Sequence, residues 1–337
     1  MKPVAVVILN WNGQKFLEKF LPNVVSHSVT DISDVFIIDN ASTDSSIQYL
    51  NDFFPEIRTI MLDKNYGFAG GYNKGLAQIQ ADYYVLLNSD VEVTNQWIFP
   101  LYNHMQSNKT VAVCMPKIKS FHQKEYFEYA GAAGGFLDIY GFPFCKGRLF
   151  DSIEKDEGQY DSSYEIFWSS GAAMFVRSSV YTELGGLDHD FFAHMEEIDF
   201  CWRAKNYGYS IMYIPESEVF HVGGGTLPQS NPFKTYLNFR NNLFLLYKNL
   251  PSKKLQYTVF IRKIFDGIAC VKFLFSGQWG DCKAVIKAHI DYYASVKNLR
   301  AKRKKLNHTL STVSYAQLYK HSIVWEYFIR KKNKITL

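Results

Sequence analysis

Two hydrophobic patterns alternate along residues 1–90. Continuous apolar runs, typical of strands buried on both faces, occur at 4–9, 35–38 and 83–87, and the stretch 58–62 completes the alternation as a further predicted strand. Between them apolar residues recur at helical spacing, and we expect Ser42 or Thr43 to cap one helix and another to run from about Gly71 to Ile79. Strands joined by crossover helices predict an α/β fold with a mostly parallel sheet and flanking helices.

Polar residues follow each predicted strand. They are Asn10 and Asn12, Asp39 and Asn40, Asn65 with Gly67, and Asn88 with Asp90. Ligands of such sheets bind beyond the carboxyl ends of the strands, so these loops should meet at one edge and suit a nucleotide diphosphate. Turn formation alone would explain any single loop, but four loops favour a site. No Gly-x-Gly-x-x-Gly follows the first strand and no P-loop occurs, which disfavours dinucleotide dehydrogenases and P-loop enzymes.

The composition is that of a globular protein. Hydrophobic residues make up 47% and charged residues 20% of the 337 residues, which excludes disordered, collagen-like and coiled-coil rod classes. The five cysteines stand far apart without a Cys-x-x-Cys pair, so we expect a reducing cytoplasm rather than a disulfide framework or zinc knuckle. The apolar run at 4–9 is shorter than the core of a secretory signal and is interpreted as a first strand.

Charge divides the chain into two parts. Residues 226–337 hold 21 Lys and Arg against 4 Asp and Glu, a net charge of +17, whereas the remainder holds 16 against 28, a net charge of −12. We therefore predict a domain at 1–228, with a nucleotide-binding half at 1–125 and an acceptor-side half at 126–228. A helical basic module is predicted at 229–337.

Basic and aromatic residues interleave in this second part. The basic clusters are Lys302, Arg303, Lys304 and Lys305, and Arg330, Lys331, Lys332 and Lys334; the aromatic residues are Phe260, Phe265, Phe273, Phe275 and Trp279. This mixture favours an anionic membrane surface, with a solvated helical bundle as the alternative. Nucleic acid is not expected as a partner, because no binding motif accompanies the charge. The stretch 257–279 contains four charged residues, so we predict that it does not cross a membrane.

Six segments resemble family 2 glycosyltransferases, particularly their rhamnosyltransferase-like bacterial branch. They are VVILNWNG, IIDNASTDSS, NYGFAGGYNKG, LLNSDVEV, SSGAAMFVRSSVYTELGGLDHDFFAHMEEIDFCWRAKNYGY and VFHVGGGT, in family order between residue 4 and about residue 250. The resemblance implies a GT-A fold, a nucleotide-sugar donor, a divalent metal and inversion at the anomeric carbon in one displacement.

The resemblance also implies donor-binding roles for Asp39, Asn65 and Gly67. Asn10 and Asn88, which follow predicted strands at the same edge, are assigned to the donor with them. Asp39 matches the carboxylate that accepts a hydrogen bond from the nucleobase, and both a pyrimidine imide and the edge of guanine can donate it. The donor is therefore expected to be a dTDP-, UDP- or GDP-sugar, with rhamnose as one candidate sugar.

Asp90 and His221 match the metal site of the family. Asp90 aligns with the last acid of a D-x-D motif in which Asn88 replaces the first, and one carboxylate with donor phosphates and water can hold Mg²⁺ or Mn²⁺. His221 precedes three glycines and matches a histidine that reaches the metal or the diphosphate, and an imidazole suits Mn²⁺ better. The alternatives are a turn or cap role for Asp90 and a structural role for His221.

An acid cluster follows in HMEEIDFCWR. Glu197 matches the family's proposed base, with Glu in place of Asp, and Asp199 is assigned with it to the catalytic group. Asp199 and Arg203 have the spacing of a helical ion pair. Glu196 is assigned to the acceptor side, with solvated helix decoration as its alternative.

Two further residues complete the predicted site. Trp168 is expected on the acceptor side, where its ring could stack on a sugar, and core packing is its alternative. Arg240 is a candidate for the departing diphosphate, and helix packing is its alternative.

These features predict a metal-dependent glycosyltransferase of the cytoplasm, peripheral to the inner face of the bacterial plasma membrane. Its acceptor is expected to be a lipid-linked oligosaccharide or a surface polysaccharide. The rival interpretations are a membrane-associated scaffold with a degenerate sugar-nucleotide fold, which the Asn88 and Glu197 departures suggest, and a sugar-phosphate nucleotidylyltransferase.

Overall fold

The computed structural model describes residues 2–223, 231–306 and 312–335. Its strands are β1 Val4–Asn10, β2 Ser33–Asp39, β3 Arg58–Met61, β4 Tyr83–Leu87, β5 Val91–Val93, β6 Val111–Ser120, β7 Gly135–Leu137, β8 Pro143–Cys145, β9 Arg148–Leu149, β10 Ser152–Ile153, β11 Tyr164–Ile166, β12 Ala173–Arg177 and β13 Ser210–His221. Its α-helices are α1 Gln14–Ser28, α2 Ser46–Phe53, α3 Gly67–Leu76, α4 Ile98–Ser107, α5 Ser178–Glu183, α6 Glu196–Asn206, α7 Pro232–Asn249, α8 Ser252–Phe275, α9 Trp279–Leu306 and α10 Thr312–Ala316. A short 3₁₀ helix spans His189–Phe191 and a π-helical turn spans Trp325–Ile329.

The central sheet has the order β11-β13-β6-β12-β4-β1-β2-β3, and β5 pairs with β13. Strands β3, β2, β1 and β4 are mutually parallel. Strand β12 is antiparallel to both β4 and β6, and β13 is parallel to β6, so β6 and β13 run in the same direction as β4. The expected α/β class with a mostly parallel central sheet is therefore confirmed. A small antiparallel sheet of β7 to β10 lies beside it.

Burial explains why the first strands could be predicted from the sequence. Val4 to Ile8 are each at most 1% exposed, as a strand covered by helices on both faces requires. The four predicted strands are present. The predicted helix start is wrong, because α2 begins at Ser46 after Ser45 and the 42–43 segment folds back onto the end of β1. Helix α3 begins at Gly67, four residues before the expected start.

Helix α7 joins the two predicted parts of the chain. Leu243, Leu245 and Leu246 are fully buried in the same hydrophobic core as β1 and β4. The side chain of Asn242 donates to the carbonyl of Gly141. The boundary near residue 228 remains a prediction, but the core continues across it.

Part of the basic cluster at 302–305 is directed inward. Lys302 Nζ lies 2.5 Å from Asp188 Oδ1 and 2.6 Å from Asp190 Oδ2. Arg303 is 8% exposed and donates to the carbonyl of Tyr247 at 2.7 Å. These two charges are satisfied inside the protein, so the predicted membrane role does not extend to them.

The helices after residue 228 are not membrane spans by length and hydropathy in the part that the structure describes. Within residues 2–223, 231–306 and 312–335, none of the helices is long and apolar enough to cross a bilayer.

Candidate active site

The ends of β1 and β2 form a buried polar corner. The two strands pair in register with Asn10 opposite Asp39. Asn10 Nδ2 donates to Asp39 Oδ1 and to Ser42 Oγ, each at 3.1 Å, and the Ser42 amide donates to Asp39 Oδ2 at 2.9 Å. Asp39 is fully buried, whereas Asn10 Oδ1 has no hydrogen-bond partner among the described residues. Two of the predicted donor-binding residues therefore share one network.

The loop before α3 closes the same corner. Asn65 Oδ1 accepts from Asn40 Nδ2 at 2.9 Å and from the Gly67 amide at 2.8 Å. Gly67 has φ +69°, and a Cβ there would lie 2.6 Å from the ring of Phe192. Only glycine fits this approach without strain. Asn65 and Gly67 thus lie beside Asp39 through Asn40.

A second group of polar side chains lies after β4. Strand β4 pairs with β1, Leu87 opposite Ile8, so the residues that follow it continue beside Asn10. His221 Nε2, at the end of β13, lies 3.2 Å from Asp90 Oδ1 and 3.4 Å from Asn88 Nδ2. Asp90 and His221 are each 6% exposed. The sequence-predicted metal residues are therefore brought together.

His221 lies between two carboxylates. Its Nδ1 is 3.4 Å from Glu128 Oε2, on the opposite side of the ring from Asp90. Burial lowers the pKa of His221, but the hydrogen bonds and charges of Asp90 and Glu128 outweigh that and raise it to about 10. The backbone of Gly223, at φ +73°, approaches Glu128 so closely that a Cβ there would lie 2.5 Å from Glu128 Oε1. Gly224 and Gly225, the other two of the three glycines that follow His221, lie outside the described residues.

This donor set fits a divalent cation. Asp90 offers a carboxylate oxygen, and His221 would offer its Nε2 nitrogen once a cation displaced the proton that Asp90 and Glu128 stabilise on the ring, with the Asn88 amide adjacent. A mixed oxygen and nitrogen set is compatible with Mn²⁺, and donor phosphates and water would complete the coordination.

A separate acidic group, at Asp188, His189 and Asp190, has a different role. Its ligand atoms lie within 4.8 Å of one another. Its carboxylates are already bound by Lys248 and Lys302, which neutralise them. These ion pairs connect the 3₁₀ helix to α7 and α9, so the group stabilises the packing of the C-terminal helices.

The loop before α6, residues 190–195, is strained and tightly held, and we call it the acid loop. Phe192, His194 and Met195 have φ of +65°, +67° and +73°, a region that side chains other than glycine rarely adopt. Asn241 Nδ2, on α7, donates to the carbonyls of Phe191, Ala193 and His194 at 2.8 to 2.9 Å.

The acid loop also contacts the polar corner formed by Asn10, Asp39, Asn65 and Gly67, which we call the donor corner. The Phe192 carbonyl accepts from the Phe68 amide, at the start of α3, at 2.8 Å. The backbone of this loop is therefore fixed from two sides, and α6 begins directly after it at Glu196.

Glu196 and Glu197 open α6 beside this loop. Glu196 is 4% exposed, and both residues have a shielded Oε2 with no hydrogen-bond partner among the described residues. Burial raises the pKa of Glu197 to about 7, against backbone amides at the helix start that lower it. Burial and the neighbouring Glu197 charge also raise the pKa of Glu196 well above its usual value. A carboxylate with a pKa near 7 is suited to accept a proton.

Asp199 is placed differently from its assignment to the catalytic group. It is fully buried, and its oxygens accept from Arg203 at 2.8 Å, from Asn249 at 2.9 Å and from Lys248. Burial raises its pKa, but Lys248 and Arg203 outweigh this effect and lower it overall. The helical ion pair expected with Arg203 is present. Asp199 therefore anchors α6 to α7, and the catalytic assignment is not supported.

Trp168 and Arg240 take the alternative roles. Trp168 is 5% exposed, its ring packs on Gly135 and its Nε1 donates to the carbonyl of Phe136. Arg240 donates to the carbonyls of Asp190 and Phe191 and to the side chains of Tyr236 and Asn241, which occupies all three of its nitrogens. The tryptophan is a core residue, and the arginine holds the acid loop.

Glu128 and Asn241 were not found by sequence reasoning. Glu128 lies in an irregular segment after β6, where no periodic pattern or motif marks it. Asn241 carried a weak signal, because it interrupts the apolar positions of α7 between Leu237 and Leu245. A polar residue on a buried helical face requires a partner.

A mixed sheet whose parallel strands end in amide and carboxylate loops is the architecture of the GT-A class. The sequence profile described as Glycosyl transferase family 2 matches residues 5–178. The chain therefore belongs to family 2 of the glycosyltransferases, and the resemblance read from the motifs is confirmed.

Two curated relatives are similar over most of their length. The low-salt glycan biosynthesis hexosyltransferase Agl10 of Haloferax volcanii is 25% identical over 285 residues, which cover 81% of this chain and 85% of the relative. The N-acetylglucosaminyl-diphospho-decaprenol L-rhamnosyltransferase of Mycobacterium tuberculosis is 25% identical over 233 residues, covering 65% and 75%.

Among solved structures, GalNAc-T7 with UDP, GalNAc and Mn²⁺ has a TM-score of 0.60 and 16% identity. The match covers 75% of this chain and 49% of that one, so the common part is about half of that protein. The likeness shows the shared fold.

Proposed function

We propose that this protein is an inverting, metal-dependent glycosyltransferase that uses a nucleotide-sugar donor. The observation that carries the proposal is the convergence of three loops at one sheet edge: the Asn10–Asp39 corner, the Asp90–His221 pair and the acid loop that leads to Glu197. A nucleotide, a diphosphate and an acceptor hydroxyl would each meet chemically suitable groups there.

The donor is held through its nucleotide. Asp39, with Asn10 and the loop of Asn65 and Gly67, would form the subsite for the nucleobase and ribose, and its buried carboxylate would become accessible when the donor binds. A divalent cation bound by Asp90 and His221 would offset the negative charge that gathers on the departing diphosphate. The similarity to rhamnosyltransferases favours an activated deoxyhexose such as rhamnose, carried on dTDP, UDP or GDP.

Glu197 is the proposed base. The acceptor oxygen attacks the anomeric carbon as the bond from that carbon to the diphosphate oxygen breaks, and the acceptor proton passes to the Glu197 carboxylate. One displacement inverts the configuration of the carbon. The fixed acid loop holds this carboxylate in place before the substrate arrives.

The acceptor is proposed to be a lipid-linked saccharide or a growing surface polysaccharide, handled at an anionic membrane surface on the cytoplasmic side. The support is the substrate in the name of one relative, a decaprenol-linked diphospho-sugar, and the excess of basic residues from Thr226 onward. Polyprenyl carriers hold their sugars at a membrane surface, where basic residues are attracted to anionic lipid.

A donor panel tests the proposal. Purified protein is incubated with dTDP-, UDP- and GDP-sugars, with Mn²⁺ and a polyprenyl-diphosphate sugar acceptor. We expect transfer, or slow donor hydrolysis without acceptor, for at least one donor. Absence of both reactions across the panel would contradict the proposal. Pyrophosphate release from a nucleoside triphosphate would instead support the nucleotidylyltransferase alternative.

A further inference from the structure

An exposed apolar stripe runs along α8. Its members recur every three or four residues, so they share one helical face, and they are between 47 and 86% exposed. They are Tyr257, Phe260, Ile264, Ile268, Val271 and Phe275. Phe265 and Phe273, which the sequence groups with them, pack inward against Phe142 and Phe239. Contiguous exposed apolar surface on a folded protein marks an interaction site.

Two neighbouring elements extend the stripe into a face. Helix α9 lies against α8, since Lys263 Nζ bonds the Tyr293 hydroxyl at 2.6 Å and the Cys270 and Cys282 sulfurs are 2.7 Å apart. The exposed apolar residues of α9 also follow helical spacing. The exposed apolar residues of the π-helical turn lie beside α8, because Lys272 Nζ is 5.5 Å from the centre of the Phe328 ring. These added residues are Trp279, Ile286, Ile290, Tyr293, Trp325, Phe328 and Ile329. We call the combined surface the α8–α9 face.

The face has a basic surround. Residues 252–306 hold 13 Lys and Arg against three Asp. Each of these aspartates already has a partner: Asp266 binds Arg262, Asp281 accepts from Thr235, and Asp291 binds Lys287. Exposed lysines at 253, 254, 272, 283 and 297 therefore define the charge around the apolar residues. Two copies of such a face would repel each other, whereas an anionic surface would be attracted.

The tip of the face adjoins the acid loop of the candidate site. Gly280, at the start of α9, lies so close to Pro232 that a Cβ would be 2.9 Å from its Cγ. The next residue, Phe233, packs edge-on to Phe192 at 6.3 Å between ring centres, and Phe192 covers Gly67 of the donor corner. Phe192 and Phe233 are 39% and 45% exposed. The aromatic surface thus continues from the helix tip to the acid loop.

We infer that the α8–α9 face docks on an anionic lipid bilayer and so brings the mouth of the site, at Phe192 and Phe233, to the layer in which lipid-linked acceptors lie. Apolar side chains enter the headgroup layer while the surrounding lysines contact anionic headgroups. The inference rests on the proposed function only for the acceptor, because docking itself needs no sugar transfer.

Vesicle sedimentation of the full chain tests docking. The probes are phosphatidylcholine vesicles with and without phosphatidylglycerol. The face variant replaces Phe260, Ile264 and Ile268 by Ser. The control variant replaces Val29, Phe53 and Met61 by Ser, and these residues are similarly exposed in the N-terminal part of the chain. All six side chains are at least 47% exposed, so both variants should fold.

The wild type should bind the anionic vesicles and bind neutral ones weakly. The face variant should lose about tenfold or more in partitioning while the control does not, and added salt should weaken wild-type binding. Equal binding of the face variant and the wild type would overturn the inference. So would equal wild-type binding to both vesicle types, or a face variant that changes only the oligomeric state by size exclusion.

A second readout separates docking from catalysis. Donor hydrolysis in solution should be the same in the face variant and the wild type, while transfer to an acceptor embedded in anionic vesicles falls in the face variant. If the protein transfers no sugar at all but binds vesicles as described, the proposed function fails and the docking inference stands.

Discussion

The donor corner and the acid loop meet at one site but owe their geometry to different causes. In the donor corner, Asn10 and Asp39 are fixed by the register of two adjacent parallel strands. The acid loop contains three residues with positive φ, and its backbone is held by Asn241, which donates to carbonyls 47 to 50 residues earlier in the chain. The first arrangement follows from local sequence, and the second depends on how the C-terminal helices pack.

This difference explains why the C-terminal helices cannot be treated as an appendage. Helix α7 supplies Asn241 and Arg240 to the acid loop and Lys248 to Asp188 and Asp199. A substitution in α7 should therefore lower the rate of transfer although the substituted residue contacts no substrate. A substitution on the exposed side of α2 should leave that rate unchanged.

The largest effect is expected for Glu197→Gln. An amide cannot accept the acceptor proton, so transfer should fall about 10²- to 10⁴-fold. Nucleotide-sugar binding, measured by calorimetry, should stay within about twofold because Glu197 does not hold the donor. Glu56→Gln, an exposed control, should behave as the wild type. Unchanged turnover in Glu197→Gln would remove this residue from the mechanism.

The next largest effect is on stability. Lys248 is 2% exposed, and Lys248→Met leaves Asp188 and Asp199 without their shared cation. Removing one partner of a buried pair lowers the free energy of unfolding by about 3 to 5 kcal/mol. Urea unfolding measures this, with Lys287→Met at an exposed ion pair as the control.

The pH dependence of that loss has a definite sign. The pKa of Asp199 is held below its usual value in the folded protein, so its stabilising contribution is present at neutral pH and lost as the pH falls through the acid range. In Lys248→Met, protonation of Asp188 and Asp199 also removes the destabilisation caused by their unpaired buried charges. The stability difference between Lys248→Met and wild type should therefore shrink below about pH 4. A difference that grows on acidification would contradict the ion-pair account.

Asn241→Ala should loosen the acid loop. The alanine removes three hydrogen bonds to strained backbone, so Glu197 is positioned less well and kcat should fall about 10- to 100-fold while KM for the donor changes little. Asn242→Ala is the matched control, since its buried amide bonds Gly141 and Arg262 instead. If both variants lose the same kcat, the effect is general destabilisation rather than positioning.

The smallest predicted effect is the pH–rate profile. Because burial raises the pKa of Glu197 to about 7, the base becomes available only as the pH rises through that value. The rate should increase about tenfold per pH unit below 7 and level off above it. Transfer rates across this range at saturating donor measure the profile. A rate that falls as the pH rises through 7 would show that a group other than Glu197 controls the pH dependence.

The first ninety residues were predictable because buried parallel strands leave a continuous apolar signal in the chain. Strands β1 to β4 and the polar residues at their ends lie where that signal places them. The 42–43 segment was misread as a helix cap because Ser42 bonds Asn10, a residue 32 positions earlier.

The remaining site depends on contacts that no local pattern records. His221 and Asp90 were placed by motif alone, and Glu128 by nothing in the sequence. Lys302 appeared to be part of a basic surface, yet it binds Asp188, 114 residues away. Charge counts describe a segment, but they do not show which charges are neutralised by distant partners.

The central claim is that Asp90 and His221 bind a cation together with the diphosphate of the donor. Calorimetric titration of UDP, GDP and dTDP into wild type and Asp90→Asn, with and without Mn²⁺, tests it most directly, with Asp52→Asn on α2 as an exposed control. At least one diphosphate should bind the wild type about tenfold more tightly with Mn²⁺, and Asp90→Asn should lose that gain, as linked binding requires. Equal affinity for every diphosphate with and without Mn²⁺ in the wild type, or a full Mn²⁺ gain in Asp90→Asn, would contradict the claim.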